Sequence, residues 1–193
     1  MSLPSECNSH RDPRLRDQEF FMDYVRLTTS MGEIVIELNA EAAPDTVANF
    51  LQYVKDGHYD GTIFHRVIAG FMIQGGGMDA EMKERDTREP VKNEAKNGLT
   101  NDKYTVAMAR TNDPHSATAQ FFINTKDNAF LNFSSEDLRG WGYAVFGKVV
   151  EGQKVVDAIE DVETTSRFFH DDVPVAPITI EKAEILNDYQ PKA

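Results

Sequence analysis

The sequence predicts a predominantly β fold, a barrel or a sandwich, and three features point to it. Short runs of β-branched and aromatic residues recur along most of the chain, bounded by Gly, Asn, Asp and Pro. Only two stretches follow the helical period, one early and one late, as in folds whose core is made by sheet. The 193 residues, 40% of them hydrophobic and 27% charged, suffice for one well-buried core without any repeat or low-complexity tract.

Taken in order, residues 1–23 are polar and charge-mixed, with Pro4 and Pro13 and no periodic apolar face, so they read as a tail. Val25–Thr29 and Glu33–Leu38 are extended runs joined by Ser30-Met31-Gly32, a connection suited to a hairpin. Pro44 opens a helix with Asp45 in its first turn. Val47, Phe50, Leu51 and Val54 keep the i, i+3, i+4, i+7 spacing, and Gly57 ends it. Residues 62–68 and 71–74 read as two strands about a bend at Ala69-Gly70, with period two placing Phe64 beside Arg66 and Met72 beside Gln74. Residues 78–96 are charged and aperiodic, a surface loop. Residues 104–109 and 120–124 read as buried strands around the turn-forming Thr111–Ser116. Then come a polar connection at 134–140, a strand at 143–150, a helix at 153–159, a loop at 167–173 holding Phe168, Phe169 and His170, and a last strand at 178–186. The domain proper is thus expected over 24–187, with a short tail at 188–193.

Twenty basic against 32 acidic residues give a formal charge of −12, which repels phosphate backbones and anionic lipid. Nucleic acid and membrane are therefore excluded as expected partners. Cys7 is the lone cysteine, so no intrachain disulfide and no Cys-x-x-Cys pair can form, which fits a reducing compartment. No apolar leader core and no run of roughly 20 apolar residues is present, and the expected location is the cytoplasm.

The densest chemistry lies in Thr62–Gly77. Arg66 sits on an otherwise apolar strand face, where a guanidinium must be paired or used. Gly75-Gly76-Gly77 lacks the spacing of a phosphate loop and is read as letting the backbone approach a bound peptide or turn sharply. The five histidines show no ligand spacing, so no metal is expected, and His65 reads as a packed strand residue. Asn132-Phe133-Ser134 has the glycosylation pattern, which a cytoplasmic chain would not use.

Phe64-His65-Arg66-Val67-Ile68-x-Gly70-Phe71-Met72-Ile73-Gln74-Gly75-Gly76 resembles the signature of the cyclophilins, the peptidyl-prolyl cis–trans isomerases that cyclosporin inhibits. Val106–Arg110 and Ser116–Asn124 agree with it, and Phe130–Phe133 with Gly140–Gly147 looks like the bacterial cytoplasmic branch. The resemblance covers about Val25 to Leu186. It implies a closed eight-stranded antiparallel β-barrel with a helix over each open end. It also implies an isomerase that needs no cofactor and acts on X–Pro bonds in peptides and unfolded chains, as a monomer, assisting protein folding. By motif match Arg66 is the donor to the prolyl nitrogen, and Gln74 orients the peptide and supports Arg66. Phe71, Met72, Phe122 and Leu131 line the proline slot, and the backbone at Ala109-Arg110 pairs with substrate. Gln120, Phe130 and Tyr143 complete the substrate-binding set. Asn93–Leu99 resembles a loop bordering the groove.

Rotation about X–Pro has a barrier of roughly 18–20 kcal/mol, and millisecond turnover requires removing on the order of 6–7 kcal/mol. An apolar slot that strips water and a donor aimed at the prolyl nitrogen can supply that without nucleophile or metal. The competing readings are a structural salt bridge for Arg66, ordinary core packing for the apolar four, and a proline-peptide binding module in place of an enzyme. Arg66 and Gln74 favour the enzyme, since binding alone does not require that donor. Phe130 and Tyr143 stand where the eukaryotic branch carries tryptophan and histidine, so cyclosporin is expected to inhibit weakly.

Overall fold

The computed structural model describes residues 22–192; the expected tail over residues 1–23 falls almost wholly outside them. Eleven strands and two helices are present among the described residues. β1 (Asp23–Thr29) and β2 (Gly32–Leu38) form the expected hairpin, paired from Asp23–Leu38 to Thr29–Gly32. α1 (Pro44–Lys55) buries Val47, Phe50, Tyr53 and Val54, the face that the sequence period marks. Ala43, at its N-cap position, offers no side-chain cap. The capping group comes from a distant loop, where Glu94 accepts from the Thr46 N–H and the Thr46 hydroxyl, both at 2.6 Å.

Next come β3 (Thr62–Ile63), β4 (Arg66–Ile68), β5 (Met72–Gly75), β6 (Thr105–Met108), β7 (Phe121–Asn124) and β8 (Val145–Glu151). α2 (Gln153–Glu160) follows, then β9 (Thr164–Arg167), β10 (His170–Pro174) and β11 (Thr179–Leu186). Nine strands make one sheet in the order β3-β11-β1-β2-β8-β6-β7-β5-β4, and β9 and β10 form a separate hairpin. The closed eight-stranded barrel is thus corrected to an open, curled nine-stranded sheet. Its end strands, β3 and β4, are joined through Phe64-His65 but not paired with each other. The cause lies in those two residues: the Phe64 N–H is drawn to the Ile178 carbonyl at 2.9 Å and its ring is fully buried.

That break also corrects the expected strand over 62–68. Phe64 points into the main core while Arg66 is exposed, so the two do not share a face. The expected loop at 167–173 is in fact the turn of the β9–β10 hairpin. Phe168 and Phe169 occupy it with φ of 48° and 69°, a geometry that normally selects Asn and Gly, and that is why the turn was not legible.

The main core fills the inside of the curl with Leu27, Ile36, Phe50, Tyr59, Phe121 and Phe146 among others. α1 packs against β11, and α2 lies across β2, β4 and β5. Gly76 is needed at a sharp turn against this core, and Gly77 beneath the Gln120 side chain. A β-carbon on Gly76, at φ +86°, would lie 2.8 Å from Tyr59 and 2.9 Å from Phe121, and one on Gly77 would collide with the Gln120 side chain.

Candidate active site

The sheet is apolar on both faces along β4, β5, β7 and β6. Register places Arg66 opposite Gln74, Gln74 opposite Phe122, and Phe122 opposite Ala107, so one row of side chains runs outward across four strands. The alternate row, Val67, Ile73, Ile123 and Val106, belongs to the main core. This explains why all four residues of β7 are buried. On the outer face Met72, Ala107, Phe122, Leu131 and Val145 make a second, smaller apolar cluster, joined by Ile68, Phe71, Leu99, Ala109 and Tyr143 at its margins.

A cavity of about 130 Å³ opens over that cluster. Phe71, Met72, Phe122 and Leu131 form its apolar part, and Arg66, Gln74, Ala109, Arg110 and Tyr143 its rim. Of the eleven residues expected at the site, these nine are brought together. The other two touch it from outside. Gln120 accepts from Gln74 Nε2 at 3.0 Å and lines an adjoining cavity of about 210 Å³ with Glu84, Thr111 and Ser116. Phe130 stacks on Phe71 with centroids 5.6 Å apart and an interplanar angle of 19°, yet is 73% exposed.

Among the described residues the Arg66 guanidinium makes no ion pair with any carboxylate, unlike Arg26 or Arg88. Its cross-strand neighbour Gln74 donates Nε2 to Gln120 Oε1. The Ala109 N–H is already donated to the Gln120 carbonyl at 3.0 Å, so that N–H is not free for a substrate strand. Arg110 is fixed: Nε donates to the Gly142 carbonyl at 3.1 Å, Nη1 to the Thr111 carbonyl at 2.9 Å, and the guanidinium covers the Tyr143 ring at 4.4 Å. Tyr143 meets Phe122 edge-on with centroids 5.7 Å apart. In the Asn93–Leu99 loop, Asn93 Nδ2 donates to the Gly142 carbonyl at 3.1 Å and Leu99 packs at the margin of the outer cluster, but none of its residues lines the cavity.

Behind Arg66, His65 is buried with Nδ1 unpartnered, and its ring lies 6.4 Å from that of His170. Burial first, then His170 and Arg66, push its pKa down to about 4. No three His, Cys, Asp or Glu side chains cluster in a way that could hold a metal ion among the described residues. Sequence reasoning missed a chain of buried amides, Asn101, Asn124 and Asn128, beneath the slot. Its one signal was an asparagine closing the otherwise apolar run Phe121-Phe122-Ile123-Asn124. The site therefore offers an apolar floor, a permanently charged donor at the rim that makes no ion pair among the described residues, and walls held by hydrogen bonds. Nothing at the rim is arranged as nucleophile and base.

Comparison with known proteins agrees. The family model described as cyclophilin type peptidyl-prolyl cis-trans isomerase/CLD matches residues 24–185. A peptidyl-prolyl cis-trans isomerase of Streptomyces antibioticus is 67% identical over 165 residues, covering 86% of this chain and 99% of that protein. Peptidyl-prolyl cis-trans isomerase B of Escherichia coli is 56% identical, over 83% and 98%. Among solved structures, a cyclophilin type peptidyl-prolyl cis-trans isomerase of Cryptosporidium parvum, determined in the presence of the dipeptide Ala-Pro, is 27% identical. It superposes with a TM-score of 0.70, over 86% of this chain and 99% of that one.

Proposed function

The chain belongs to the cyclophilin-type peptidyl-prolyl cis–trans isomerases, and from that premise we propose that the groove between Arg66 and Leu131 is where it turns over X–Pro bonds. It accelerates cis–trans rotation in proline-containing peptides and proteins and so assists folding. The observation that carries the site is Arg66 at the rim of an apolar cavity, with no ion-pair partner among the described residues. A guanidinium held beside apolar side chains without a carboxylate partner is poised to donate to a ligand.

In this reading the proline ring sits on Phe71, Met72, Phe122 and Leu131, which excludes water from the twisting bond. Arg66 donates to the prolyl nitrogen as conjugation is lost and the lone pair localises there, and no proton leaves any group. Gln74, locked to Gln120, sets the height of the peptide over β5. Arg110 and Tyr143 wall the groove on the side of the residue preceding proline, where the adjoining cavity continues it, and no cofactor takes part. The isomerase domain spans 24–187 and works as a monomer in the cytoplasm, in keeping with a lone cysteine, and the −12 charge disfavours nucleic acid and anionic lipid as partners. Among the described residues no helix is long and apolar enough to cross a membrane. Cyclosporin binds weakly, because an exposed Phe130 offers less apolar area than tryptophan and no N–H. The direct test is a protease-coupled or NMR exchange assay on a short X–Pro peptide, with Arg66→Ala beside the wild type. Exchange that the variant supports as fast as the wild type would move the site elsewhere.

A further inference from the structure

The two walls of the slot come from segments outside the sheet ladder: Phe71 from the bend before β5, and Leu131 from a 3-10 turn at Ala129–Leu131. Their backbone carbonyls are connected by one unbroken line of side-chain amides. Asn128 Nδ2 donates to the Phe71 carbonyl at 2.9 Å and to Asn124 Oδ1 at 2.8 Å. Asn124 Nδ2 donates to Asn101 Oδ1 at 3.1 Å and to Thr105 Oγ1 at 3.0 Å. Asn101 Nδ2 donates to the Leu131 carbonyl at 3.2 Å and to Asn132 Oδ1 at 3.1 Å. Each NH₂ group finds two acceptors, and the Asn124 and Asn101 side-chain oxygens each accept from the amide before them. Because a carbonyl stands at either end, flipping any one amide would set oxygen against oxygen or NH₂ against NH₂, so the orientation of all three is forced. Asn101, Asn124 and Asn128 are 1%, 0% and 3% exposed, and a buried network whose donors are all used is stiff.

We propose that Asn101, Asn124 and Asn128 are positioning residues that fix the separation of the Phe71 and Leu131 walls, and thereby the selectivity of the slot for the five-membered proline ring. The inference rests on the reading of this cavity as the proline slot. The bland alternative is a network that only pins two loops to the sheet, and the two differ in what loosening it does. A purely stabilising network, once broken, lowers turnover of every substrate by the same factor. A spacer, once broken, lets the walls part and relaxes the discrimination between ring sizes.

The experiment measures kcat/KM for one short peptide carrying proline and for the same peptide carrying its six-membered homologue, pipecolic acid. Wild type is compared with Asn124→Ala, Asn128→Asp and Phe122→Ala. The aspartate keeps the size of Asn128 and removes both donated bonds. In both asparagine variants the proline-to-pipecolyl ratio should fall at least about fivefold, the consequence of sub-ångström misplacement at a tight site. That ratio is independent of how much of the variant is folded, and Asn128→Asp carries the test if Asn124→Ala fails to fold. An unchanged ratio with both rates falling together overturns the inference, as does a wild type that does not discriminate. Phe122→Ala separates the two failures. If it abolishes proline turnover while the asparagine ratios stay at the wild-type value, the spacer role alone is lost. If it turns over proline normally, the slot reading falls and takes the spacer with it.

Discussion

At the scale of single residues the proposed donor is the Arg66 guanidinium, which makes no ion pair among the described residues. Arg66→Ala should lower kcat/KM at least about a hundredfold, the roughly 3 kcal/mol lost with one preorganised charged donor. Arg66→Lys should recover little, since an ammonium on a flexible stem does not reproduce the fork. Being exposed, Arg66 should cost no folding, so circular dichroism of the variant checks that the loss is chemical. Phe130→Trp should tighten cyclosporin by at least about tenfold through added area and an indole donor, while kcat/KM changes only a few-fold. Equal inhibition of the two proteins in one assay would shift the limit on drug binding to the loop after Asn132. His65 makes a prediction about acid. Its folded pKa, about 4, lies below its usual 6.5, so the unfolded chain binds its proton first as pH falls. Stability is whole above about pH 6.5 and is lost as pH drops toward 4, by up to roughly 3 kcal/mol. Urea midpoints for His65→Gln should decline less between pH 7 and 4 than those of wild type, and parallel declines would assign the acid sensitivity elsewhere. His58, half-buried, shifts the same way and adds to the decline.

At the scale of elements, α1 shows what a local reading can and cannot see. Its apolar face and its proline start are written in consecutive residues, whereas its cap is Glu94, 48 residues away, which no local signal announces. Glu94→Ala should cost about 1–2 kcal/mol, or about 2–8 °C in Tm, with Glu94→Gln recovering part because one acceptor remains. A melting point within about 1 °C of wild type would show the cap to be replaced by water. The same division runs through the rest of the molecule. Strands whose side chains alternate or form apolar runs were legible, and so was the cavity, because its residues fall within motif blocks. The break at Phe64-His65 was hidden, since it depends on the Ile178 carbonyl capturing an N–H across more than a hundred residues. Without that break the two ends of the sheet read as one strand, and an open sheet reads as a closed barrel. The amide line through Asn101, Asn124 and Asn128 was equally hidden, because asparagine in a loop has many uses and only the fold shows all three facing one another.

At the scale of the whole molecule the question is which residues the folded unit needs. The family match begins at residue 24, β1 pairs from Asp23, and 165 residues of this chain already span 99% of the Streptomyces relative. Deleting residues 1–21 should therefore leave Tm within about 2 °C and kcat/KM unchanged, since no ladder or core position among residues 22–192 is removed. The other end behaves differently. Tyr189 follows β11 and lies outside the proposed 24–187 unit, yet its ring packs on Tyr24 with centroids 4.8 Å apart and its hydroxyl is buried. Burial, and then the neighbouring Glu151, push its pKa up to about 12, so it stays neutral through the ordinary range. Lys192 lies 3.5 Å from the same carboxylate, an exposed pair that adds little. Residues 188–192 thus clasp β1 mainly through one aromatic ring on Tyr24, and deleting residues 188–193 should cost about 1–3 kcal/mol, or about 2–12 °C. Tyr189→Ala in the full chain should reproduce most of that drop, because the ring rather than the chain end makes the contact. The two deletions and the point variant, melted side by side, decide the matter: an N-terminal cut that destabilises more than the C-terminal one would place the clasp at the wrong end.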